Sequence, residues 1–511
     1  MTTAMVEVER KYDVGADTDL PDLAGLPGVV RVLAERYELD ATYFDTEDLR
    51  LRAAGITLRR RTGGSDAGWH LKLPYGADRE EIALPGDDAA TEVPAELHAL
   101  VRARTRERPL LPVAHLTTSR GVRRLVGQGG HVLAELADDL VRGRTSRADA
   151  ADLVWREWEV ELVDGPRSML DEVQERLLAA GATPSGSGSK VGRVLGRRAV
   201  VDGQAPWWGQ RPLSSRKVTA AGVLQAHLQQ QVEELVVRDP QVRRDLPDAL
   251  HKMRVATRRL RSALSTFRPL LDRSATDPLR EELRWLATVL GAVRDTEVMH
   301  ARLRGLVAEQ DPELVLGPVA TRIDLVLEKR YRSAHDAVLV ELEGERYLRL
   351  LDTLDALVTD PPLLPLARDR ARDVLPNLVL RAWKRLNREM AAAEDATAAE
   401  QDLLLHEARK DAKRARYAAE AVASLYGKPA TAYAKAVTRL QEVLGEHQDG
   451  VVTRDVLREL AVIAYGAGEN GFTFGRLHGL EQARAEAAAA RWPQVRAEAS
   501  DPRLRDWLHG R

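Results

Sequence analysis

Near the start of the chain, Glu7-Val8-Glu9-Arg10-Lys11 sets two carboxylates and an ammonium at alternate positions. Successive side chains of a strand point to opposite faces, so Glu7, Glu9 and Lys11 share one face, and Val6 and Val8 the other. Burying such a charged face is costly unless a metal ion and an anion fill the space between the charges. Later segments repeat the pattern with other charges. Arg59 and Arg61 share a face in Thr57-Leu58-Arg59-Arg60-Arg61, and His70 and Lys72 share one in Trp69-His70-Leu71-Lys72-Leu73. Arg79 and Glu81 have the same parity, Arg120 follows Thr117-Thr118-Ser119, and Glu135-Leu136-Ala137-Asp138-Asp139 returns with an acidic end. Finally Glu157, Glu159 and Glu161 alternate with Trp158, Val160 and Leu162. A sheet with one solvated face explains any one of these strands. It gives no reason to sort acid into the first and last long strands and base into the middle ones. An inward-facing cage does, with cations gripping a polyanion and a divalent metal where the carboxylates converge.

The elements that must position these groups are short strands. Turn signals such as Gly63-Gly64-Ser65-Asp66 and Gly127-Gln128-Gly129-Gly130 separate them throughout residues 1–200. From about residue 218 the apolar period changes to 3.6 and stays there, which predicts a large helical region. Between the two, residues 199–218 carry Gly203, Pro206, Gly209 and Pro212 with no period and read as a linker, in which Trp207-Trp208 is a packing anchor. The expected division is therefore 1–198, a linker at 199–218, and 219–511.

Composition narrows the function classes. At 511 residues, with 44% hydrophobic and 30% charged, the chain reads as a soluble multidomain protein. It has no cysteine, which removes disulfides, thiolate catalysis and Cys-ligated zinc. No apolar run is long enough for a membrane span and no export signal opens the chain, so a cytoplasmic protein is expected. The first 200 residues hold 28 basic and 33 acidic residues, net −5, and the rest 48 and 45, net +3. Neither balance suggests nucleic-acid binding by bulk charge. Arginine outnumbers lysine 65 to 11, and the lysines of the first 200 residues are Lys11, Lys72 and Lys190, all inside these motifs. An ammonium is a compact phosphate ligand.

With Tyr43-Phe44-Asp45-Thr46 and Ser189-Lys190 added, the ordered motifs from Val6 to about Arg198 resemble the CYTH family, the triphosphate tunnel metalloenzymes. The resemblance implies an eight-stranded antiparallel tunnel with helices outside. It implies that Glu7, Glu9, Glu159 and Glu161, joined by Asp138, bind one or two Mg2+ or Mn2+ ions. It also implies that Lys11, Arg59, Arg61, Lys72, Arg120 and Lys190 grip a triphosphate, with Glu7, Glu9 and Lys11 as the catalytic signature. Around Arg79 and Glu81 the pattern is looser, and their roles stay open.

The helical region repeats itself. Leu250-His251-Lys252-Met253-Arg254 returns as Leu405-His406-Glu407-Ala408-Arg409, an offset of 155, and Arg258-Arg259-Leu260-Arg261 as Lys413-Arg414-Ala415-Arg416. Val289-Leu290-Gly291 with Asp295 returns as Val443-Leu444-Gly445 with Asp449, an offset of 154. On a helix, His251, Arg254, Arg258 and Arg261 form one stripe, and His406, Arg409, Lys413 and Arg416 a second. Lys329, Arg330, Arg332, His335, Lys384, Arg385 and Arg388 are candidates to extend them. This region resembles the CHAD domain, the conserved histidine α-helical domain. The resemblance implies two four-helix bundles related by a pseudo-twofold, halves about 219–360 and 370–511, and a basic surface for inorganic polyphosphate. The stretch from Glu481 to Arg511 matches least and is expected to be a solvated end helix. The whole is a multidomain α+β chain, read as a Mg/Mn-dependent triphosphatase joined to a polyphosphate-binding module, possible at polyphosphate granules. The alternative is a non-catalytic polyphosphate-binding protein whose tunnel is sensory or vestigial. A cyclase ranks third, because nothing in residues 1–200 marks a purine pocket.

Overall fold

The computed structural model describes residues 3–76, 78–86, 92–146, 152–196, 218–394 and 396–509. Trp207-Trp208 and all of the expected linker except Val218 lie outside them. The chain forms two compact units, Met1–Arg211 and Pro212–Arg511.

In the first unit the strands are β1 Thr3–Glu7, β2 Glu9–Val14, β3 Val29–Asp45, β4 Thr57–Thr62, β5 Gly68–Tyr75, β6 Asp78–Pro85, β7 Leu111–Gly127, β8 Val132–Thr145, β9 Leu153–Leu162 and β10 Thr183–Pro184. The helices are α1 Arg50–Ala53, α2 Ala95–Thr105, α3 Ser168–Ala179 and α4 Lys190–Leu195. One antiparallel sheet runs β1-β6-β5-β4-β3-β7-β8-β9-β2-β10. The chain itself joins its two sides, because only Val8 separates β1, paired with β6 at one end, from β2, which pairs with β9 and carries the two-residue β10 on its other edge. The sequence reads this stretch as one strand. It breaks because it changes partners there, and the Val8 carbonyl still accepts the Leu162 N–H at 3.0 Å. The exchange closes the sheet into a tunnel, so that one face of every strand turns inward.

The apolar faces point outward and are covered by helices. Tyr12, Trp158 and Val160 pack under Met169, Leu170, Val173 and Leu177 of α3. Leu58, Trp69, Leu71 and Ile82 pack under Leu97, Leu100 and Val101 of α2. Each such side chain contributes about 1.5–3 kcal/mol on burial. These outer cores stabilise a sheet whose inner face is given over to charge.

The second unit is helical: α5 Ala220–Arg243, α6 Ala249–Thr266, α7 Arg273–Ala308, α8 Val319–Glu343, α9 Glu345–Thr359, α10 Ala371–Glu394, α11 Ala398–Tyr426, α12 Lys428–Gly466 and α13 Phe472–Ala499. The repeated motifs have a packing cause. A Cβ on Gly291 would lie 3.7 Å from the Arg254 guanidinium, and one on Gly445 would lie 3.1 Å from that of Arg409. Arg254 then pairs with Asp295 at 3.0 Å and Arg409 with Asp449 at 3.3 Å. Each half thus lays an arginine of one helix across a glycine of the next and ties it to an aspartate one turn on.

The end of the chain is not a solvated helix. Glu481 and Trp492 of α13 are buried, and Glu481 accepts from Arg302 at 2.8 and 2.6 Å. Beyond α13, Arg505 stacks on Trp383 at 4.0 Å and donates to the carbonyls of Ala499 and Ser500. That contact closes the C-terminus of α13 and ties it to α10. Among the described residues, no helix is long and apolar enough to cross a membrane.

Candidate functional site

The inner faces of the strands converge on a cavity of about 170 Å³. From β1 and β2 come Glu7, Glu9 and Lys11; from β4, Arg59 and Arg61; from β5, Lys72. Arg79 and Glu81 of β6, Arg120 of β7, Glu159 and Glu161 of β9, and Lys190 of α4 complete the charged lining, with Asp66 at the β4–β5 turn. Strand register explains the convergence. Lys11 lies opposite Glu159, Glu9 opposite Glu161, Lys72 opposite Glu81 and Arg120 opposite Asp139.

Three carboxylates form the cationic end's counter-charge. Lys190 Nζ lies 2.6 Å from Glu159, 2.8 Å from Glu157 and 3.0 Å from Asp139. Arg120 donates two hydrogen bonds to Asp139, at 2.8 and 2.6 Å, and one to Glu159 at 2.9 Å. Lys11 donates to Glu159 as well. Burial opposes charging Lys190, but Glu159, Asp139 and Glu157 outweigh it and hold its pKa above the usual lysine value.

At the other side the balance reverses. Both oxygens of Glu7 accept from Lys72 Nζ, at 2.7 and 2.6 Å. Burial, followed by the neighbouring Glu81 carboxyl, still pushes the Glu7 pKa up to about 8. For Glu81 burial is outweighed by His70, Lys72 and the Glu7 hydrogen bond, so it stays below the usual carboxylate range. Glu161 has no ion-pair partner among the described residues. Burial raises its pKa and Lys72 lowers it, while Glu9, Glu81 and Glu159 add to the rise. Carboxylates that repel one another in this way lack positive charge. A divalent cation beside Glu161 would offset that repulsion.

The cations are crowded too. Burial, then Arg59 and Arg120, lower the Arg61 pKa to about 9, and among the described residues Arg61 pairs with Asp66, at the cavity rim. Tyr43 accepts a 3.4 Å bond from Arg59. An anion between these guanidiniums would relieve their repulsion.

Asp138 is not part of this lining. It shares a face with Ala134 and Leu136, both in the core beneath α3, and accepts from Arg156 at 2.8 Å through each oxygen and from Trp158 Nε1 at 3.0 Å. The inward member of the pair is Asp139, fully buried. Its parity with Glu135 was the available signal. His70, on the same face as Lys72, lies between Glu81 at 2.9 Å and the Asp66 carbonyl at 2.8 Å.

In the helical unit, a cavity of about 470 Å³ is lined by Arg254, Arg258, Arg261, Arg280, Arg284, Lys410, Lys413 and Arg414, with Glu407 and Tyr417. The two stripes meet across it, where Arg258 donates to the Tyr417 hydroxyl at 3.0 Å. Burial, then Arg409, Arg258 and Arg254, lower the Lys413 pKa to about 7. His251, His406 and Arg409 do not line the cavity. Arg416 turns away to stack on Tyr417 at 4.6 Å and to meet Glu420 at 3.3 Å, so that Arg414 takes the lining place. Arg330 and Arg332 pair with Glu459 and Glu328, and His335 contacts the Val242 carbonyl at 3.0 Å. Neither these three nor Lys329, Lys384, Arg385 and Arg388 line it.

Comparison with known proteins places a CYTH domain at residues 5–193 and a CHAD domain at 226–458. Two uncharacterized Mycobacterium tuberculosis proteins, of strains CDC 1551 and H37Rv, are each 40% identical over 496 residues, 94% of this chain and 94% of theirs. Among solved structures, PptA from Streptomyces chartreusis is 23% identical, with a TM-score of 0.45 over 54% of this chain and 99% of that one. The CHAD domain of the plant Ricinus communis is 28% identical, with a TM-score of 0.46 over 57% and 94%. HpAC1 of Hippeastrum, a putative adenylyl cyclase described as having a dominant triphosphatase activity, is 19% identical, with a TM-score of 0.23 over 36% and 93%.

Proposed function

The chain belongs to the family in which a CYTH domain is fused to a CHAD domain, and on that premise we propose that its tunnel hydrolyses inorganic tripolyphosphate or a related triphosphate while its helical unit binds polyphosphate. The observation that carries the reading is the sorting of charge within one small cavity. Arg59, Arg61 and Arg120 crowd together, while Glu161 is repelled by Glu9, Glu81 and Glu159, and Glu7 by Glu81. A triphosphate with a divalent cation resolves both imbalances at once.

Glu7, Glu9 and Glu161 would hold Mg2+ or Mn2+; Glu159, engaged by Lys11, Arg120 and Lys190, stays with the cations. Such an ion supplies neutralisation of phosphate oxygens and acidifies a water molecule. The remaining work falls to the side chains. Lys11, Arg59, Arg61, Lys72 and Arg120 hold the phosphate chain extended and in line, so its scissile bond meets the attacking water at fixed geometry. Because these donors are preorganised by strand register, they stabilise charge on the leaving phosphate without reorganising. Among the described residues the uncharged lining is Met5, Tyr43, Thr57 and Ser189, a poor apolar seat for a base. That favours an inorganic substrate.

The test is phosphate release from tripolyphosphate, thiamine triphosphate and ATP, each with Mg2+ and with Mn2+. Release should be fastest from tripolyphosphate and should require metal. Silence with all three would leave a binding protein with a sensory tunnel.

A further inference from the structure

Among the described residues, the carboxylates that gather most tightly are Asp139, Glu157 and Glu159, whose oxygens lie within 4.8 Å of one another. All three are buried. An acidic cluster alone identifies nothing, but this one already contains a cation. Lys190 Nζ stands 3.0, 2.8 and 2.6 Å from the three residues in turn. An ammonium has three N–H donors and no acceptor, so three carboxylates satisfy it. Arg120 and Lys11 supply two more charges to the same cluster. Three carboxylates thus face three cations, and a divalent ion added among them would find no net negative charge to hold it.

The lysine is also fixed in place. It is the first residue of α4, whose N-terminus is capped by Ser189 accepting from the Gly192 N–H at 3.1 Å. Val191 and Val194 pack with Ala41, Tyr43, Ala114, Leu116 and Val141. Val194 seats against Gly143, where a Cβ would come within 2.4 Å of it. Arg193 stacks over Trp155 at 5.3 Å and pairs with Asp13. Each contact holds the ammonium in the triad.

We propose that Lys190 is a built-in cation that takes the place of a divalent metal in the Asp139–Glu157–Glu159 triad, confining the tunnel to one divalent ion, at Glu7, Glu9 and Glu161. The proposal rests on the metal-binding part of the functional reading, not on hydrolysis.

Mn2+ binding to the full-length protein, counted by calorimetry and by paramagnetic resonance, tests it. The unaltered chain should take one Mn2+. Lys190→Met should take two, and the added Mn2+ should raise its melting temperature. Lys190→Met with Asp139→Asn should return to one. In the unaltered background Asp139→Asn and Glu157→Gln should leave the count at one, which decides the matter even if Lys190→Met does not fold. A count that stays at one in folded Lys190→Met, or a native ion lost in Asp139→Asn, would overturn the proposal. No Mn2+ bound to the unaltered chain would overturn it together with the metal reading. Absence of phosphate release alone would overturn only the hydrolase reading.

Discussion

Glu7 is 4% exposed, with both oxygens on Lys72, and its charge is resisted by burial and by Glu81. Glu7→Gln keeps the shape and removes a charge the empty fold tolerates poorly, so the variant should fold. Turnover should fall by about 10²-fold or more, roughly 3 kcal/mol of transition-state stabilisation, and Glu9→Gln should do the same. Full activity in both variants under saturating metal would end the hydrolase assignment. Asp138 makes the opposite case. It binds Arg156 and Trp158 outside the tunnel, so Asp138→Asn should leave turnover within about twofold while lowering stability by about 1–3 kcal/mol. A chemical-denaturation curve beside a rate measurement separates the two effects; a large loss of turnover in a stable variant would return Asp138 to the site.

At the scale of elements, alternation made most of the tunnel legible. Trp158 and Val160 against Glu159 and Glu161 name the outer and inner faces of β9 with no structural knowledge. The break at Val8 was not legible, because it arises from a change of partners between β6 and β9, strands far away in sequence. Asp138 and Asp139 are neighbours on opposite faces of β8, and one residue of register decides which of them turns inward. In the helical unit the recurring Gly291 and Gly445 were visible as letters, but their reason, room for an arginine, is tertiary. The burial of Glu481 by Arg302 likewise has no local signal. The stripes make a further prediction. Reversing Arg254 and Arg258 to Glu should cost the full-length protein much of its polyphosphate affinity, and Lys410→Glu with Lys413→Glu a similar amount. Affinity should fall steeply with salt, as counterions are released from a linear polyanion. Lys413, at about 7 in the free protein, should gain its proton on binding. Below that value it is already charged; above it, binding must take up a proton, so affinity should weaken as pH rises from 7 toward 9. Lys413→Arg should flatten that slope. Calorimetry in buffers of different ionisation heat would show the uptake, and equal heats would remove Lys413 from the binding surface.

At the scale of the whole molecule, two cation-rich cavities of different construction occur in one chain of net charge −2. In the tunnel, cations and carboxylates share one lining, and the local crowding of carboxylates around Glu161 calls for a divalent ion. In the helical cavity eight cations face a single lining carboxylate, Glu407, so nothing there recruits a metal. The same polyanion chemistry should therefore depend on metal in one unit and not in the other. Stripping the full-length protein with a chelator should abolish phosphate release from tripolyphosphate. Retention on immobilised long-chain polyphosphate should be unchanged and should remain as sensitive to salt as before. Restoring Mg2+ or Mn2+ should return the first activity without strengthening the second, apart from the competition of divalent ions for phosphate. Loss of polyphosphate retention on chelation would move that binding into the tunnel and leave the basic helix faces as ordinary solvated surfaces. Phosphate release that survives the chelator would instead show that the lysines and arginines suffice, and that Glu7, Glu9 and Glu161 serve the cations rather than a metal.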